Sequence, residues 1–189
     1  MVYHSSWNGF ETETLLGCGL YQFKQTTKGS RLGPALPLDV TQLDADGNMV
    51  DDILDEVIHY FKPNMYFKTF KIKGNGDRLI LYLTCFVHKL LQKIVGLNKK
   101  QCQVVLITLN QEFVTLPNEA SFPFATFYPP TNDQQEVEKF LAYTQQLKSE
   151  LGHRVVERVF QYPEEDGTGS KFWTVFAKAP FLEDRKKKK

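Results

Sequence analysis

The side chains best suited to chemistry in this 189-residue chain are four histidines, three cysteines and a few glycine-bearing loops. None stands at a reactive spacing. His4, His59, His88 and His153 include no HExxH and no paired-histidine pattern, so no metal site is expected. Cys18, Cys85 and Cys102 are odd in number and widely spaced, with no CxxC, which is neither a disulfide framework nor a zinc site. Cys85 and His88 are three residues apart and could form a nucleophilic pair. A thiol buried in an apolar helix is a poor nucleophile, however, and core packing is the better account. Gly74-Asn75-Gly76 lacks the third glycine of a dinucleotide loop, and Gly167-Thr168-Gly169-Ser170-Lys171 breaks the GxxxxGK[ST] order, so both read as turns. Leu43-Asp44-Ala45-Asp46-Gly47 suggests a calcium loop, but registering Gly47 at position six puts Ile53 where a bidentate carboxylate is required. No Gly-x-Ser-x-Gly elbow occurs. The expectation is no catalytic residue and no cofactor.

Charge is more informative. The sum is +1, with 23 Lys and Arg against 22 Asp and Glu, which argues against a general nucleic-acid binder. The arrangement is blocky. Asp39, Asp44, Asp46, Asp51, Asp52, Asp55 and Glu56 lie between positions 32 and 61 without a Lys or Arg, whereas positions 62–100 hold many bases and the single acid Asp77. Lys68, Lys71, Lys73 and Arg78 fall near Tyr66, Phe67 and Phe70. Bases interleaved with aromatics can bind single-stranded nucleic acid or an acidic protein surface, or can snorkel from a helix edge. Residues 183–189 read as a flexible basic tail. The N-terminus lacks the basic start and apolar run of a signal peptide. The longest nearly apolar run, 79–87, falls far short of the roughly 20 residues a bilayer span needs, so a cytoplasmic protein without membrane insertion is expected.

Elements follow from hydrophobic spacing. Residues 1–47 are turn-rich and read as an extended N-terminal arm whose apolar side chains, Trp7, Phe10 and Phe23 among them, need a surface to lie on. Residues 48–182 read as one mainly helical domain. Val50, Ile53, Leu54, Val57, Ile58 and Phe61 predict a helix beginning near Asn48, which Pro63 kinks or ends. A second helix, with Asp77 as N-cap and Gly96 at its end, is apolar on all sides over its first half and must be central and buried. Positions 99–109 suit a buried strand or a helix. A connector rich in proline and aromatics leads to a third clear helix, which starts at Thr131 or Asn132 and stops at Gly152. Residues 154–161 and 172–178, flanking a turn-rich stretch, suggest a C-terminal hairpin.

Specific segments carry a resemblance. They are Tyr3-His4-Ser5-Ser6, the block DDILDEVIHYFKPNMYFKTFKIKGNGDRLILYLT from Asp51, FPFATFY from Phe122, DQQEVEKFLAYTQQLKSELGHRVVERVF from Asp133 and SKFWTVFAK from Ser170. In order and content they resemble the third small subunit, of the 21-kDa class, of the actin-related protein 2/3 complex. The family's short Lys-Gly-Pro-Ala-Pro segment is stretched here to Lys28-Gly29-Ser30-Arg31-Leu32-Gly33-Pro34-Ala35, and the Lys-rich end also differs.

The resemblance implies a mainly α fold, an irregular helical array around one buried helix, and favours helix for positions 99–109. It implies a non-catalytic subunit of a seven-member assembly that nucleates branched actin filaments. Its partners would be the other subunits, chiefly the larger actin-related one, and the mother filament of the actin cytoskeleton. Actin's surface is acidic, so Lys68, Lys71, Lys73, Arg78, Lys99 and Lys100 are the candidates for filament or subunit contact. Trp7, Phe10 and Phe23 are the candidates for an arm docked on a neighbouring subunit. Two alternatives remain: an independent basic-patch module binding RNA or an anionic membrane surface, and a hydrolase using Cys85.

Overall fold

The computed structural model describes residues 2–26, 33–38, 51–66 and 70–179. Lys68, the expected helix start at Asn48 and the basic tail 183–189 lie outside the described residues.

The chain is mainly α-helical, built from α1 (Ile53–Met65), α2 (Asn75–Ile94), α3 (Lys99–Glu112), α4 (Gln134–Val159) and a short α5 (Lys171–Thr174). Single 3-10 turns at Ser6–Gly9, Ala125–Phe127 and Val175–Lys178 punctuate the connections. α2 is the axis of the molecule. Every residue from Leu79 to Val87 is buried, as are Leu90, Leu91 and Ile94, and α2 touches each of the other helices. A helix with no polar face has no stable position except inside such a ring.

Local chemistry sets the helix ends. Asp52 caps α1, accepting from the Leu54 and Asp55 amides, while Asp55 reaches back to the Asp52 amide in a capping box. Pro63 lies inside the last turn of α1 and does not end the helix, which runs on to Met65. Asp77 is not the N-cap of α2. Gly74 is, without a side-chain bond, and Asp77 sits in the first turn. Positions 99–109 are helical, because Asn98 and Gln101 form a second capping box that starts α3. The cap of α4 is Asp133, one residue after Asn132 and two after Thr131, and it accepts from the Gln135 amide.

Two expectations are overturned in the last third. Gly152 does not stop α4, which continues to Val159. A Cβ at position 152 would come within 2.2 Å of Leu106 Cδ1, so this glycine allows α3 and α4 to touch. The C-terminal hairpin is absent too. Residues 154–159 finish α4, and residues 171–178 are helical, since Trp173, Phe176 and Ala177 bury one side of a short helix rather than alternating along a strand.

The one hairpin among the described residues lies in the N-terminal segment. β1 (Thr14–Leu15) pairs antiparallel with β2 (Cys18–Gly19) across the two-residue turn Leu16-Gly17, both at positive φ. Leu15, Leu16, Cys18, Tyr21 and Phe23 join the same core cluster as the helices.

Candidate interaction surfaces

Three polar networks and one split set of lysines define the surface. The first network fastens the N-terminal segment. Asp77, fully buried, lies 2.7 Å from His4 Nδ1 and accepts from the Ser5 amide (2.9 Å), Asn8 Nδ2 (2.9 Å) and the Lys73 amide (2.9 Å). Glu56 accepts from Ser5 Oγ (2.7 Å), the Ser6 amide (3.0 Å) and Ser6 Oγ (2.5 Å). The HSS tripeptide quoted in the resemblance thus ties α1 to α2.

The second network centres on Arg154 of α4. Its guanidinium donates to Asp52 (2.9 Å), Asp55 (2.9 Å), Glu150 (3.0 Å) and the Lys24 carbonyl. Burial disfavours the charged guanidinium, but the surrounding carboxylates outweigh it and raise Arg154 above its ordinary value. Burial alone would raise Asp55; the Lys24 hydrogen bond and the Arg154 charge prevail and hold it below the usual carboxylate range.

The third is a buried lysine. Lys148 is 2% exposed, donates to the Phe113 carbonyl just beyond the end of α3, and is pushed down to about 8 by desolvation.

The bases expected to act together do not form one surface. Lys71 and Lys73 are exposed just before α2, whereas Lys99 and Lys100 open α3 beyond its far end. α2 has 20 residues and separates the two groups by roughly 30 Å. Lys99 is paired with Glu157 at 2.7 Å; Lys100 is exposed. Arg78 turns inward. Its Nε donates to the Phe127 carbonyl (2.8 Å) and its Nη1 to Asn75 (3.1 Å), so it braces the aromatic connector against α2. Among the expected aromatic contacts, Phe23 is fully buried in this chain's own core and has no surface for a neighbour, which corrects that assignment. Trp7 is half-buried against Phe10 and Tyr21, and Phe10 is 60% exposed.

Reactive chemistry finds little support. All three cysteines are buried, and burial pushes the Cys18 thiol well above its ordinary value. Among the described residues no three His, Cys, Asp or Glu side chains converge on a metal position, and no helix is long and apolar enough to cross a membrane.

Sequence reasoning missed Phe172 and Val175, which are 71% and 62% exposed. Their three-residue spacing in the SKFWTVFAK block was the available signal of a shared helix face, obscured by reading that block as a strand.

Comparison with known proteins is consistent along nearly all of the chain. The P21-Arc family model, described as the ARP2/3 complex ARPC3 (21 kDa) subunit, matches residues 1–186. A Dictyostelium discoideum protein named actin-related protein 2/3 complex subunit 3 is 34% identical over 189 positions, covering 96% of this chain and 98% of the relative. A protein of the same name from Arabidopsis thaliana is 32% identical over 184 positions, covering 96% and 97%. One from Schizosaccharomyces pombe is 35% identical over 150 positions, covering 79% and 80%.

Proposed function

This chain belongs to the P21-Arc family, the 21-kDa subunit of the actin-related protein 2/3 complex, and on that premise we propose that it is a non-catalytic structural subunit of such a complex. Its work is to support nucleation of branched actin filaments and to contribute to contact with the mother filament. Its place is the cytoplasmic actin cytoskeleton. Its partners are the other members of a seven-subunit assembly, chiefly the larger actin-related subunit. The observation that carries this reading is the end-to-end correspondence with proteins so named.

Exposed Lys71, Lys73 and Lys100 remain the contact candidates for an acidic actin-like surface, with Phe10 and the exposed part of Trp7 available to a neighbouring subunit. Their separation also weighs against the alternative of an RNA- or membrane-binding module. A polyanion binder gains affinity by neutralising many phosphates along one track, and lysines at opposite ends of α2 form none.

Reconstitution tests the proposal. The complex assembled from the remaining subunits with and without this full-length chain is compared in an actin-branching assay. Branch formation that depends on the chain is expected; equal branch density without it overturns the nucleation role.

A further inference from the structure

One flank of the molecule carries large apolar side chains that are exposed among the described residues. Phe172 and Val175 stand three residues apart on the helical segment 171–178, and Tyr66 is 70% exposed at the end of α1, its ring edge against Phe176. Beside them a groove of about 320 Å³ runs between α1 and the end of α4, with Phe172 and Tyr162 on its rim. Tyr162 is itself 75% exposed.

Two cations stand in the same groove. Lys62 Nζ lies 3.3 Å from the Phe172 ring centroid and 3.7 Å from that of Trp173. Arg158 is exposed, with a bond to the Gln161 side-chain oxygen at 3.5 Å. Among the described residues neither cation meets a carboxylate. Three acids on neighbouring turns face other groups: Asp55 pairs with Lys24 and Arg154, Glu157 pairs with Lys99, and Asp51 lies 3.6 Å from His59. Desolvation lowers Lys62 to about 8, a cost that an incoming carboxylate would relieve.

We propose that the flank formed by Tyr66, Phe172, Val175, Lys62 and Arg158 is a docking surface for another subunit of the complex, one that presents a carboxylate flanked by apolar side chains. The inference rests on the proposed function and specifies one of its interfaces. Aromatic side chains with arginine at their edge are the composition of interface hot spots, where apolar contact excludes water around a central pair. Here the rings already hold the ammonium in place, so a carboxylate reaching Lys62 meets a preorganised charge in surroundings less polar than water. The charge pattern selects an acidic partner, and the uncovered rings and Val175 select an apolar rim around that acid.

The test co-expresses the full-length chain with the other subunits and captures the assembly through a tag on a different subunit. Two variants change exposed positions: the double substitution Phe172→Ser with Val175→Ser, and Arg158→Glu. Thermal unfolding of each variant chain reports its folding. As a second measurement, a photo-crosslinking benzoylphenylalanine replaces Phe172. Each variant is expected to reduce captured chain about tenfold after a salt wash, the scale of losing a hot spot. The photo-crosslink is expected to reach another subunit next to an Asp or Glu. Variants that fold and assemble like the parent overturn the proposal. So does a crosslink running only to this chain's own residues 180–189. Failure of the unmodified chain to be captured at all overturns the complex-subunit reading itself, and is thereby distinguished.

Discussion

His4 Nδ1 lies 2.7 Å from Asp77 Oδ2, joining the N-terminal segment to the first turn of α2 across 73 positions of chain. The Asp77 carboxylate also takes three further donors, so a single buried acid organises the start of the chain, the loop before α2 and the helix itself. A negative charge there also complements the positive end of the helix.

Replacing Asp77 with Ala takes the acceptor from those donors, of which the Ser5 amide is buried. The expected loss is about 2–4 kcal/mol of unfolding free energy, read by urea denaturation. The N-terminal residues should also become sensitive to limited proteolysis before the helices do. A variant with parental stability and an intact N-terminus would refute the clasp.

Arg154 holds Asp52, Asp55 and Glu150 together, so Arg154→Ala removes the cation they share, leaving Lys24 on Asp55, and should cost about 3–5 kcal/mol. The pH dependence has a definite sign. The folded pKa of Asp55 lies below its ordinary 3.8, so its contribution is present above pH 3.8 and is lost as pH falls through the folded value. In the variant this part of the acid transition should shrink, the remainder being held by the Lys24 hydrogen bond. Denaturation curves between pH 6 and pH 2 that run parallel for both proteins would contradict the assignment.

At Gly152 two effects compete. Alanine improves helix propensity by about 1 kcal/mol, but its Cβ would collide with Leu106 Cδ1 at 2.2 Å. The clash should win, giving a net loss of about 1–3 kcal/mol. Leu106→Ala is itself destabilising, so the contact is read from a double-variant cycle: Gly152→Ala should cost less in the Leu106→Ala background than in the parent. An equal or larger cost in that background would show that the α3–α4 contact is not the cause.

Lys148 is expected to give the same pH sign as Asp55, in a far more alkaline window. Its folded value of about 8 lies below the ordinary 10.5, so the unfolded chain binds more protons between those pH values. Lys148 therefore contributes stability that rises with pH across that window. The raised Cys18 thiol works the other way above pH 9, so the informative quantity is the difference from Lys148→Met. The stability of Lys148→Met relative to the parent should fall as pH rises if the buried ammonium is the cause. A constant difference from pH 8 to 10.5 would exclude it.

Long, strongly patterned elements were legible in the sequence. α2 was recognisable as the buried axis because Leu79–Val87 left no polar face, and that followed from composition alone. α3 was ambiguous because its β-branched residues suit either state. The capping box of Asn98 and Gln101 decides for helix, and Val104 and Ile107 end up exposed. Gly152 and the 171–178 segment were misread because a close helix contact and a short one-sided helix depend on partners distant in sequence. The site suffered most from this. Arg78 and Phe23 looked like surface residues, yet one braces a connector and the other fills the core. The aromatic flank around Lys62 arises only when α1 and residues 171–178 come together.

The most direct test of the central claim is the native mass of the endogenous protein, with the composition of the species that contains it. The account predicts that the chain migrates within a multi-subunit assembly, in equal amount with its actin-related partners. A monodisperse species at the mass of a single chain, free of actin-related partners, would contradict it.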